Sequence, residues 1–231
     1  MFKAHPHFLT PTTPLVHISR HVPPFGFELA MGFVVQRISQ LEYVVATPRH
    51  ILDSAALAMY DINRSCLLQD QLHVTAGPFM SPYGHDLVFF IARTSHPIEI
   101  ARWQLPIPYL LPPAEAHVHY TTWNIEQCRL QAANGKMLRT DSTVCFNWET
   151  GKRFVMRRQA ARHTRYAPHY IVRGLPAVEF GWSGSPVIST RGDLVGMLVA
   201  IAEADDVDDG HPYAAIVSAG DIRRNLDTVF G

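Results

Sequence analysis

Cysteine is scarce in this 231-residue chain. Cys66, Cys128 and Cys145 are its only cysteines, an odd and widely spaced set that supplies no disulfide framework. An excess of charge is also missing, because 20 Lys and Arg balance 20 Asp and Glu. That balance removes any general electrostatic argument for nucleic acid, a membrane surface or a strongly charged partner. No apolar run reaches transmembrane length, and the opening Met1-Phe2-Lys3-Ala4-His5-Pro6-His7-Phe8 lacks the apolar centre of a secretory leader. These absences set the expectation of a cytoplasmic protein that enters no membrane. Nothing in the sequence marks an oligomeric state.

What is present suits a packed globular protein: 47% of the residues are hydrophobic and 17% charged. Runs rich in β-branched and aromatic residues predict strands near 28–36, 41–47, 71–76, 86–92 and 98–103, then near 116–123, 126–133, 142–148, 153–157, 167–173, 186–190, 193–202 and 212–217. Pro106, Pro108, Pro112 and Pro113 separate the two groups. Ile222, Leu226 and Val229, with Arg223 and Arg224 between them, predict a C-terminal helix. No internal sequence repeat is visible.

One short segment carries chemistry. In Gly181-Trp182-Ser183-Gly184-Ser185-Pro186-Val187, glycines on both sides of Ser183 permit a tight turn before a buried strand. Such a turn exposes a hydroxyl and turns backbone N–H groups toward an oxyanion. A serine nucleophile needs a base, and the base needs an orienting group. His50 follows the strand-like Glu42–Thr47, and Asp86 stands directly before the apolar run Leu87–Ile91, where its carboxylate can accept from an imidazole Nδ1–H.

The order His50, Asp86, Ser183, with Met31-Gly32-Phe33-Val34-Val35, Ala46-Thr47-Pro48-Arg49-His50 and the closing run Tyr213–Ser218, resembles the trypsin-like, chymotrypsin-fold serine proteases, including the HtrA-like type. The resemblance implies an all-β protein of two six-stranded antiparallel barrels and a short C-terminal helix. On that basis residues 1–25 are expected as an extended N-terminal arm, 26–108 and 109–217 as the barrels, and 218–231 as the helix.

It further implies a serine endopeptidase with a peptide or protein substrate, working as a processing or regulatory enzyme without metal or organic cofactor. The oxyanion hole would be the N–H groups of Gly181 and Ser183, Leu198-Val199-Ala200 would pair with the substrate backbone, and Ala177 would line an uncharged primary pocket. Alternatives are an inactive peptide-binding module of the same fold and a viral polyprotein-processing protease.

The sequence departs from the family pattern twice. Trp182 replaces the usual Asp before the nucleophile, which removes the zymogen ion pair and is expected to pack against the turn, and Ser185 replaces a glycine. Other features read as ordinary surface or core. Residues 203–209 are an acidic solvated loop, and residues 152–165 a mobile basic surface loop with no nucleic-acid role. His17 with His21, on one helix face, and His117 with His119, on one strand face, lack the partners of a metal site.

Overall fold

The computed structural model describes residues 15–22, 26–52, 57–61, 70–95, 97, 115–124, 129–138, 142–147, 149, 152–161, 164–173, 182–190, 193–202 and 213–231. Six strands form the first sheet: β1 (Leu15–Val22), β2 (Gly26–Arg37), β3 (Glu42–Thr47), β4 (Leu57–Asp61), β5 (Asp70–Met80) and β6 (Val88–Arg93). They close into an antiparallel barrel in the order β1-β2-β3-β6-β5-β4. A single 3-10 turn, Arg49–Leu52, follows β3.

The second sheet holds β7 (Glu115–Asn124), β8 (Arg129–Leu138), β9 (Ser142–Asn147), β10 (Lys152–Arg157), β11 (Pro168–Arg173), β12 (Pro186–Ser189), β13 (Leu194–Ala202) and β14 (Tyr213–Ser218). The path β8-β7-β12-β13-β14-β11 returns to β8 where Arg173 pairs with Lys136, making the second six-stranded ring. The hairpin β9–β10 hangs from β11 through Pro168 and His169. A one-turn helix α1 (Arg158–Ala161) and a C-terminal helix α2 (Ala219–Phe230) complete the described elements.

Strand side chains alternate between faces, and here both faces are apolar at the seam between the barrels. Tyr43 and Val45 of β3 fill the first barrel with Val16, Ile18, Leu72 and Phe90. Their neighbours Val44 and Ala46 enter a larger core that also takes Phe89, Met197, Val199, Ala215, Val217 and, from α2, Ile222 and Leu226. The next residues of β14, Ala214 and Ile216, join Trp182, Val187 and Leu198 inside the second barrel. Continuous apolar runs are therefore what strands buried on both faces require, and each fully buried large aliphatic or aromatic side chain contributes about 1.5–3 kcal/mol.

Three expectations change. Residues 15–22 are not part of a surface arm: β1 pairs with β2 on one side and β4 on the other, and Leu15, Val16 and Ile18 are buried. His17 and His21 accordingly lie on a strand and not a helix. The basic stretch 152–165 is no simple loop, since its first ten residues form β10 and α1. Arg165 there pairs with Glu149 at 2.7 Å and lies over the Tyr166 ring, so this charge is used locally. The expected strand at 98–103, the proline crossover and the acidic loop at 203–209 lie outside the described residues.

Cys145 is a buried free thiol whose pKa burial pushes up to about 11. No helix among the described residues is long and apolar enough to cross a membrane.

Candidate active site

The three residues singled out by their local contexts meet at the seam. His50 sits on the 3-10 turn after β3, and the preceding Thr47 anchors that strand end by donating its hydroxyl to the Met31 carbonyl at 3.0 Å. Asp86 is fully buried in the turn before β6. Its Oδ1 accepts the backbone N–H of His50 at 2.9 Å, and its Oδ2 lies 2.7 Å from His50 Nδ1. An ionised carboxylate only accepts, so in the neutral imidazole that faces it Nδ1 carries the proton and Nε2 keeps a lone pair. That lone pair faces Ser183, whose Oγ is 3.1 Å from Nε2. The hydroxyl also has the Val199 carbonyl at 3.2 Å, a second acceptor that a proton donated to His50 would leave behind.

The backbone explains why Ser183 stands where it does. Gly184 has φ of +92°, the left-handed region that favours glycine, and a Cβ there would run into the Met31 carbonyl. Its N–H donates to the Leu198 carbonyl at 2.7 Å, and the Leu198 N–H donates back to the Ser185 carbonyl at 2.9 Å. Across the seam, the Met31 N–H of β2 donates to the Ser183 carbonyl at 2.6 Å. The turn that carries Ser183 is thus held by β13 of its own barrel and by β2 of the other.

Trp182 is buried among Val118, Val187, Val195 and Leu198 inside the second barrel. Its indole, packed into that core, anchors the turn that carries Ser183. Leu198 corrects one expectation: both its backbone groups bond the Ser183 turn, so they are engaged with Gly184 and Ser185 and not left open to a substrate strand. Gly181 and Ala177 lie outside the described residues.

Around Asp86 the structure adds residues that no sequence motif marks. The Asp86 N–H donates to Nε2 of His169 on β11 at 3.0 Å. His85 and Ser81, in the same turn, reach Asn225 of α2: Ser81 Oγ donates to Asn225 Oδ1 at 2.6 Å, and Asn225 Nδ2 donates to His85 Nδ1 at 3.3 Å. Burial lowers the pKa of His85, opposed by nearby Asp221 and assisted by Arg224. His169 is pushed down to about 4, first by complete burial and then by its neighbour His85. Both are isolated histidines in sequence, with no local pattern that marks them.

The sequence matches no protein-family model and no curated protein. Solved structures do match. The active form of the Rv3671c protease from M. tuberculosis superposes with a TM-score of 0.64 at 17% identity, over 95% of this chain and 82% of that one. Its inactive form gives 0.60 at 15% identity, over 94% and 89%. The apo MamO protease domain from Magnetospirillum magneticum gives 0.61 at 15% identity, over 95% and 98%. With two closed antiparallel barrels, a C-terminal helix and these neighbours, the chain has the two-barrel fold of the trypsin-like serine proteases.

Proposed function

We propose that this chain is a serine endopeptidase that cleaves peptide bonds through His50, Asp86 and Ser183. The observation that carries the reading is the unbroken relay of contacts from Ser183 Oγ to His50 Nε2 at 3.1 Å and from His50 Nδ1 to Asp86 at 2.7 Å. Ser183 attacks the scissile carbonyl as its proton passes to Nε2, and the resulting imidazolium, held by the Asp86 carboxylate, returns that proton to the leaving amine. The acyl-enzyme is then hydrolysed by water activated by the same imidazole. The N–H groups of Ser183 and Gly181 are the proposed oxyanion donors. An extended peptide is the proposed ligand, paired with Val199 and Ala200, and Ala177 suggests an uncharged primary pocket. The few cysteines support a reducing, cytoplasmic setting.

Labelling with a fluorophosphonate at neutral pH tests this, with the adduct located by peptide mass spectrometry. Wild type should label at Ser183, and Ser183→Ala should not. With a cleavable peptide in hand, Ser183→Ala and His50→Ala should each lower turnover by about a millionfold, and the double variant by little more. Absence of labelling in folded wild type would point to a peptide-binding module of this fold.

A further inference from the structure

Among the described residues both oxygens of the Asp86 carboxylate bond His50, and the peptide N–H of Asp86 is held separately. That peptide unit is tied to the opposite barrel. We propose that His169 is a positioning residue for the triad: its neutral imidazole, projecting from β11, suspends Asp86 by the backbone N–H and fixes where its carboxylate meets His50. The inference rests on the protease reading for its kinetic consequence, and on geometry alone for the linkage.

The ring's chemistry is fully determined by its neighbours. Nδ1 lies 3.1 Å from the Val144 carbonyl, which can only accept, so Nδ1 bears the proton. Nε2, 3.0 Å from the Asp86 N–H, must then be the bare acceptor. One tautomer satisfies both contacts; the other tautomer and the imidazolium each set N–H against N–H at Asp86. The ring is held in place by Phe146, edge-on with centroids 4.7 Å apart, and by His85 at 5.8 Å. Thr143 fixes the backbone of His169 by donating its hydroxyl to the His169 carbonyl at 2.7 Å. The titratable groups acting on the ring are His85 and Asp86 from the turn before β6 and Asp221 from α2. His85 opposes protonation of the ring, the two carboxylates favour it, and complete burial outweighs them.

A histidine that merely filled space could be replaced by any side chain of its volume, whereas a positioning residue needs an acceptor toward Asp86 and a donor toward Val144. Glutamine offers both and leucine neither. His169→Leu should lower the maximal rate of fluorophosphonate labelling about 10- to 100-fold, as small displacements of a catalytic group do, with the half-saturating probe concentration unchanged. His169→Gln should recover most of that rate. The downfield proton resonance of the His50–Asp86 hydrogen bond should likewise be lost or moved in the leucine variant and restored in the glutamine one.

Wild type alone supplies a further measurement, should the leucine variant not fold. Long-range nitrogen–proton correlation spectra should show His169 as the Nδ1–H tautomer at neutral pH. An Nε2–H tautomer, or a leucine variant that labels and resonates like wild type, would overturn the proposal, as would a folded glutamine variant no better than leucine. If wild type fails to label, the protease reading falls, and the tautomer and the His50 resonance still decide the positioning role.

Discussion

Ser185 and Gly184 show how differently adjacent residues of one turn are constrained. Gly184 cannot carry a side chain, because its backbone is left-handed and the Met31 carbonyl occupies the place of a Cβ. Ser185 carries a side chain whose hydroxyl gains nothing from its position: Oγ is fully buried and has no hydrogen-bond partner among the described residues. An unmet buried hydroxyl costs about 1–3 kcal/mol. Ser185→Ala should therefore raise the thermal midpoint by roughly 2–4 °C per kcal/mol recovered in a chain of this size, read by calorimetry or fluorescence. A lowered midpoint would mean that the hydroxyl is partnered after all. Ser183 was legible because flanking glycines are visible in a sequence. His169 was not, since its importance lies in which N–H it faces across the seam, and no local pattern around Pro168-His169-Tyr170 encodes that.

Strands were legible where β-branched and aromatic residues ran together, whereas β1 and β4 escaped. β3, β6, β13 and β14 are apolar on both faces because each serves a barrel interior and the seam. β1 interleaves Leu15, Val16 and Ile18 with His, Ser and Arg, and β4 has no β-branched residue; the two pair with each other across the intervening β2 and β3. The helix α2 was legible from its spacing, but its polar grip was not. Ser218 caps it by accepting the Asp221 N–H at 3.0 Å, and Phe230 at its other end packs on Phe79 and Phe89. Between them Asn225, fully buried, bonds Ser81 and His85 in the turn that carries Asp86. Tyr83 adds a hydroxyl contact to Thr228 at 3.0 Å. Asn225→Ala would remove the acceptor of the Ser81 hydroxyl and the amide donor to His85 Nδ1, leaving those two side chains only their mutual 3.5 Å contact and the backbone N–H bonds to Ser81 Oγ, so a loss of about 1–3 kcal/mol is expected in urea denaturation. A variant as stable as wild type would show that water replaces the amide.

The two barrels divide the candidate site between them, with His50 and Asp86 on one and Ser183 and His169 on the other, so the seam must stay closed for the site to exist. Polar ties cross it at Met31 N–H to Ser183 O and at Asp86 N–H to His169. The second is sensitive to acid. His169 has a pKa near 4 when folded against an ordinary value of 6.5, so between those values the unfolded chain binds a proton that the folded one refuses. Stability then rises with pH across that window: the contribution is complete above about pH 6.5 and is lost as pH falls toward 4. At about 1.4 kcal/mol for each pH unit separating the two values, the loss is on the order of 3 kcal/mol, and lowered His85 acts in the same direction. Urea midpoints at pH 7, 6 and 5 should accordingly fall on acidification, and His169→Gln, which cannot be protonated there, should flatten the dependence while His85 maintains a remainder. An equally steep dependence in the glutamine variant would assign the acid sensitivity to groups other than His169 and leave its buried imidazole free to take up a proton without opening the seam.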